Sequence, residues 1–189
     1  KTPAEFTFSL KLLQEITHKL DLNESSYELL ESFCERSRLL KEKLGVVLIQ
    51  LPPQFSATRQ NAQNLRSFLG RLPRDIRFSV EFRNRDWFVD WTFEQLKKFE
   101  TALCYVEGGW VPREMMFAAI KENTSDFTYT RFMGERDLSD FSRVVRPQDE
   151  NLAIWKSQLA ELNGSSNFVY FSNFYEGFAP SGTMKLMRL

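Results

Sequence analysis

Glu81 and Arg83 stand two residues apart in the run Arg77-Phe78-Ser79-Val80-Glu81-Phe82-Arg83-Asn84-Arg85-Asp86-Trp87-Phe88. If its first half is a strand, alternation sends Arg77, Ser79, Glu81 and Arg83 to one face and Phe78, Val80 and Phe82 to the other. A solvated outer face would account for that. Strand-like segments separated by helices flank the run, however, and strands in such chains are parallel and covered on both sides. The charged face then points inward, where an acid and a base need each other.

The other strand-like segments end in the same way. Their last inward residues are Lys11, Gln50, Glu107, Arg131 and Asn173, all polar. In parallel α/β folds this C-terminal edge is where ligands bind. Lys11, Arg83 and Arg131 against Glu81 and Glu107 leave a slight positive excess, and guanidinium forks suit phosphate or carboxylate. The expectation is a pocket for a small anionic, phosphate-bearing ligand. Lys11 and Arg131 hold the anion, Gln50 and Asn173 orient the ligand, and Glu81 acts as a base or pairs with an arginine. His18, the single histidine, is a candidate general base, and one histidine argues against a multi-zinc site. Two rivals stand beside this reading. Glu81 and Glu107 could form the acid/base pair of a hydrolase. Alternatively Trp87, Phe88, Trp91, Trp110, Phe174, Tyr175 and Phe178, with Arg85, Arg136 and Arg143, could clamp nucleic acid by stacking and charge.

Positioning these groups requires regular elements. Strands are expected at Phe6–Leu12, Val46–Leu51, through Glu81, at Ala102–Glu107, Phe127–Met133 and Asn167–Asn173. Helices are expected at Asn23–Leu44, Thr58–Leu69, Thr92–Glu100 with Thr92 as cap, Pro112–Glu122, Asp149–Leu162 closed by Gly164, and from Pro180 onward. Glu15–His18 reads as a loop. The units average about 30 residues, and a full eight-unit barrel takes about 250. Six units of that size account for 189 residues. The fold class expected is therefore α/β, a TIM-type (β/α) barrel in one domain over 1–189, with an open doubly wound sheet as the alternative. No Gly-rich phosphate loop follows any strand, and the sequence names no cofactor.

Composition narrows the classes further. Lys plus Arg and Asp plus Glu number 25 each, so no overall field draws nucleic acid or membrane. Phe, with 18 copies, supplies much of the packing. Cys34 and Cys104 read as reduced core residues. No apolar run approaches the roughly 20 residues that span a bilayer. The expectation is a cytoplasmic monomer, and the missing initial Met points to a chain begun part-way.

The motifs Leu48-Ile49-Gln50-Leu51-Pro52-Pro53-Gln54-Phe55, Leu72-Pro73 and Val80-Glu81-Phe82-Arg83 resemble the YecE-like family. So do Glu15-Ile16-Thr17-His18, Tyr129-Thr130-Arg131-Phe132-Met133-Gly134, Val169-Tyr170-Phe171-Ser172-Asn173 and Glu176-Gly177-Phe178-Ala179-Pro180. The resemblance covers essentially the whole chain. It implies a TIM-type barrel with two further units before Lys1, so that these six would be its third to eighth. The family usually has His at the position of Met133, Asn at that of Ser172 and often His at that of Asn84. Those differences weaken any histidine-dependent chemistry. The resemblance supplies no established reaction. Its likeness to endonuclease IV and sugar isomerases, at the level of fold alone, implies DNA or sugar-phosphate ligands.

Overall fold

Strand and helix alternate along the chain in a computed structural model that describes residues 1–162 and 166–188. Two compact units divide it, Lys1–Ala102 and Leu103–Leu189. In the first, β1 (Phe8–Lys11), β2 (Leu44–Gln50) and β3 (Arg77–Glu81) pair in parallel. In the second, β4 (Ala102–Glu107), β5 (Phe127–Phe132) and β6 (Ser166–Phe171) do the same. This is the α/β pattern expected, with six strands in parallel sets and helical crossovers, as in part of a TIM-type barrel.

The helices of the first unit are α1 (Tyr27–Ser37), α2 (Arg59–Leu69) and α3 (Asp90–Lys98). Thr58 caps α2, its hydroxyl oxygen accepting from Asn61 N at 3.2 Å. The single helix expected over Asn23–Leu44 is broken into three. A 3₁₀ turn at Glu24–Ser26 leads into α1, and a second 3₁₀ stretch covers Arg38–Lys43. Ser37 Oγ donates back to Phe33 O at 2.7 Å, a bond that bends helices, and Lys41 then takes φ 52°. Glu15–Lys19, expected as a loop, is a short π-helical turn. α3 begins at Asp90, so Thr92 lies inside it and is not its cap.

The second unit carries α4 (Arg113–Ile120), α5 (Asp149–Leu159), α6 (Asn173–Glu176) and α7 (Ala179–Arg188). β6 ends two residues before Asn173, which opens α6. Gly164, expected to close α5, lies outside the described residues. Among the described residues no helix is long and apolar enough to cross a membrane.

Strand register fixes which side chains share a face. In the first unit Lys11 is level with Leu48, Ser79 with Leu48, and Glu81 with Gln50. Ser79, Glu81, Gln50 and Lys11 therefore share a face, while Val47, Ile49, Phe78 and Val80 occupy the other. In the second unit Glu107 is level with Phe132, and Val106 with Arg131. Phe132 is level with Phe171. Trp155 of α5 packs on Phe132 at 5.6 Å between ring centroids, and a side chain at Gly182 of α7 would meet Phe171. The helices thus cover the face of Glu107, Phe132 and Phe171, and Arg131 points the other way. Cys34 and Cys104 are reduced and buried in the core, as expected.

Candidate functional site

The ends of β2 and β3 are tied by one guanidinium. Arg83 Nε donates to Glu81 Oε1 at 2.8 Å, and Arg83 Nη2 donates to Gln50 Oε1 at 2.9 Å. Glu81 is 1% exposed, Gln50 is buried and Arg83 half-buried. The buried acid and base of the charged face do need each other, and the amide holds the far side of the fork.

His18, in the turn after β1, belongs to the same neighbourhood. Its Nδ1 lies 2.8 Å from Thr17 Oγ1. Partial burial holds its pKa below the ordinary 6.5, and the charges of Lys11 and then Arg83 press it further down, against a small opposing pull from Asp21. The imidazole is therefore neutral at pH 7, in a locally positive field. Lys11 itself is exposed at the end of β1.

Trp87 is placed differently from a stacking platform. It is 1% exposed, lies between Phe55 and Phe82 at 5.3 Å from each, and donates Nε1 to Phe55 O at 2.6 Å. Both faces and the indole N–H serve the loop after β3. Asn84 completes that loop, donating Nδ2 to Pro53 O at 3.0 Å and accepting from Asp86 N at 3.0 Å.

In the second unit Glu107 is not at the inward level expected of it. Arg113 holds it by both Nε, at 3.0 Å, and Nη2, and Trp155 Nε1 donates to its Oε2 at 2.6 Å. Asn173 is exposed, and its Oδ1 accepts from Ala179 N at 3.0 Å, joining α6 to α7. Arg131, on the face away from Glu107, is half-buried. Sequence reasoning passed over Arg113, Asn151 and Trp155, whose spacing from Glu107 carries no motif. Among the described residues no group of three or more His, Cys, Asp or Glu is placed to hold a metal ion.

Residues 1–189 match the family described as "Protein of unknown function DUF72". The UPF0759 protein YunF of Bacillus subtilis (strain 168) is 27% identical, across 100% of this chain and 74% of YunF. A solved DUF72 family protein of Thermotoga maritima MSB8 is similar with a TM-score of 0.81 at 26% identity, over 99% of this chain and 74% of that one. Another, from Enterococcus faecalis V583, gives 0.78 at 19% identity over 99% and 79%, a likeness that speaks for the fold alone.

Proposed function

The chain belongs to DUF72, a family of proteins of unknown function and the same family as its YecE-like motifs, and from its own residues we propose that the C-terminal edge of β1–β3 binds a small anionic ligand. One observation carries the reading. Lys11 and Arg83 both act on His18, so two cations share a neighbourhood that contains the buried carboxylate Glu81. Glu81 is already paired with Arg83, and Asp21 pulls on His18 less than either cation pushes, so the field at His18 is positive and a phosphate or carboxylate would offset it. Lys11 is the flexible outer contact. Arg83 is the fork, aimed by Glu81 and Gln50. His18, neutral, is a hydrogen-bonding group and a candidate base. Glu81 supports Arg83 instead of acting as a free base.

The reading is one of binding. Glu107 engages Arg113 and Trp155, so nothing favours a hydrolase that uses it with Glu81. Stacking of nucleic acid loses Trp87 as a platform and keeps the exposed Trp110.

The test follows the single His18 imidazole by NMR as inorganic phosphate is added. A bound anion cancels the field of Lys11 and Arg83, so the His18 pKa should rise, and the rise should vanish in Lys11→Met. An unchanged titration in saturating phosphate would sink the proposal. Single- and double-stranded DNA are titrated in parallel over a range of salt. Binding that falls steeply with salt would assign the site to nucleic acid instead.

A further inference from the structure

A cavity lies wholly within the Leu103–Leu189 unit, beside Glu107, and the anion-binding reading makes no use of it. It measures about 270 Å³ and is partly open to solvent. Glu107, Glu135, Arg146, Gln148, Asn151 and Tyr175 line it, with glycine backbone between. That volume sits below the usual range of about 300–1,000 Å³ for drug-sized ligands, which sets a ligand of roughly monosaccharide size.

Two charges of the wall already have partners, and the third, Glu135, is exposed and would repel an anion. Glu107 pairs with Arg113, and Arg146 with Asp137. Binding a full charge here would compete with those pairs, so the wall favours a neutral ligand.

The amides have fixed orientations. Arg113 Nη1 donates to Asn151 at 3.0 Å, so the atom it meets is the carbonyl Oδ1. Asn151 Nδ2 then donates to Gln148 Oε1, which leaves the Gln148 amino group as a donor. Tyr175 is 3% exposed, and its hydroxyl has no hydrogen-bond partner among the described residues. Burial, and then the charge of Glu107, raise its pKa well above the usual phenol range, so the hydroxyl keeps its proton and can donate. A buried hydroxyl left unpaired costs about 1–3 kcal/mol. The oxygen is closed to solvent, so a ligand that drew the hydroxyl into the cavity and bonded it would recover part of that.

We propose that this cavity binds a small neutral polyhydroxyl compound, a monosaccharide or a linear polyol. Its hydroxyls accept from Gln148 Nε2 and Tyr175 Oη and donate to the carboxylates of Glu107 and Glu135. A hydroxyl both donates and accepts, which is what a wall of mixed donors and carboxylates asks of a ligand.

Saturation-transfer NMR with D-glucose, D-ribose and glycerol tests this on the full chain, with L-glutamate and inorganic phosphate as charged probes. At least one of the three neutral probes should show transfer. Its affinity should fall about three- to tenfold in Tyr175→Phe, which removes one hydrogen bond, and by a similar factor in Gln148→Ala. Lys11→Met should leave that binding unchanged, which separates this site from the anion site. No transfer from any neutral probe, or transfer undiminished in both variants, would overturn the proposal. So would L-glutamate binding that Tyr175→Phe weakens.

Discussion

Arg83 Nε donates to Glu81 Oε1 at 2.8 Å, joining a guanidinium that is 13% exposed to a carboxylate that is 1% exposed. Removing one partner of such a pair leaves the other charged and desolvated, at a cost of about 3–5 kcal/mol. Glu81→Ala and Arg83→Met should each lose stability of that order in urea denaturation. The double variant Glu81→Leu/Arg83→Met should lose clearly less than the sum, because it strands no charge. Additive losses would show that the two residues do not act as a pair.

His18 makes stability depend on pH in a definite direction. Its folded pKa lies below the unfolded value near 6.5, owing first to burial and then to Lys11 and Arg83. Between the two values the unfolded chain binds more protons, so the fold loses stability as pH falls through 6.5 and below. The loss levels off once the pH is under the folded pKa. With one histidine in the chain, its ring resonance reads this directly. Lys11→Met should raise the His18 pKa and soften the acid-side loss. A pKa at or above 6.5 in the unaltered protein would contradict the local positive field.

How far the sequence could be read depended on contrast between faces. In Arg77–Glu81 the polar residues Ser79 and Glu81 alternate with Phe78 and Val80, and the register puts Glu81 level with Gln50 on one face, as the pattern required. Ala102–Glu107 offers no such contrast. Leu103, Tyr105 and Glu107 alternate with Ala102, Cys104 and Val106, both sets mostly apolar, and counting back from the strand end put Glu107 on the wrong side. Asn173 was misplaced because Ser172, not the asparagine, marks the turn. The Ser172 hydroxyl oxygen accepts from Phe174 N at 3.2 Å and starts α6. For Trp87 the sequence leaves a stacking role open, because nothing in its local sequence shows that Phe55 and Phe82 enclose it.

Gly134 follows β5 at φ +64°, where a side chain is strained, and a Cβ there would fall 2.2 Å from Phe174 O and 2.6 Å from Tyr175 Cα. Those are backbone atoms, which no rotamer change can move aside. Gly134→Ala should cost more than about 2 kcal/mol, from the left-handed strain and the displaced α6 together. Gly109 is the control, since a Cβ there meets nothing within 4 Å. Gly109→Ala should stay within about 0.5 kcal/mol of the parent. Paired thermal melts settle the comparison, and equal melting temperatures for the two variants would refute it.

Two threonines near helix N-termini should behave in opposite ways. Thr58 stands just before α2 and its hydroxyl oxygen accepts from Asn61 N, so Thr58→Ala leaves a helix-end N–H without its partner. The expected loss is about 1 kcal/mol. Thr92 sits within α3, fully buried, with a hydroxyl that has no partner among the described residues. Thr92→Val keeps the shape and removes a polar atom that burial penalises. It should be neutral or stabilising, by up to about 1–2 kcal/mol. Urea midpoints at unchanged slope measure both. If Thr92→Val proved as costly as Thr58→Ala, its hydroxyl would have to be satisfied, and α3 would be held by a bond that its geometry does not contain.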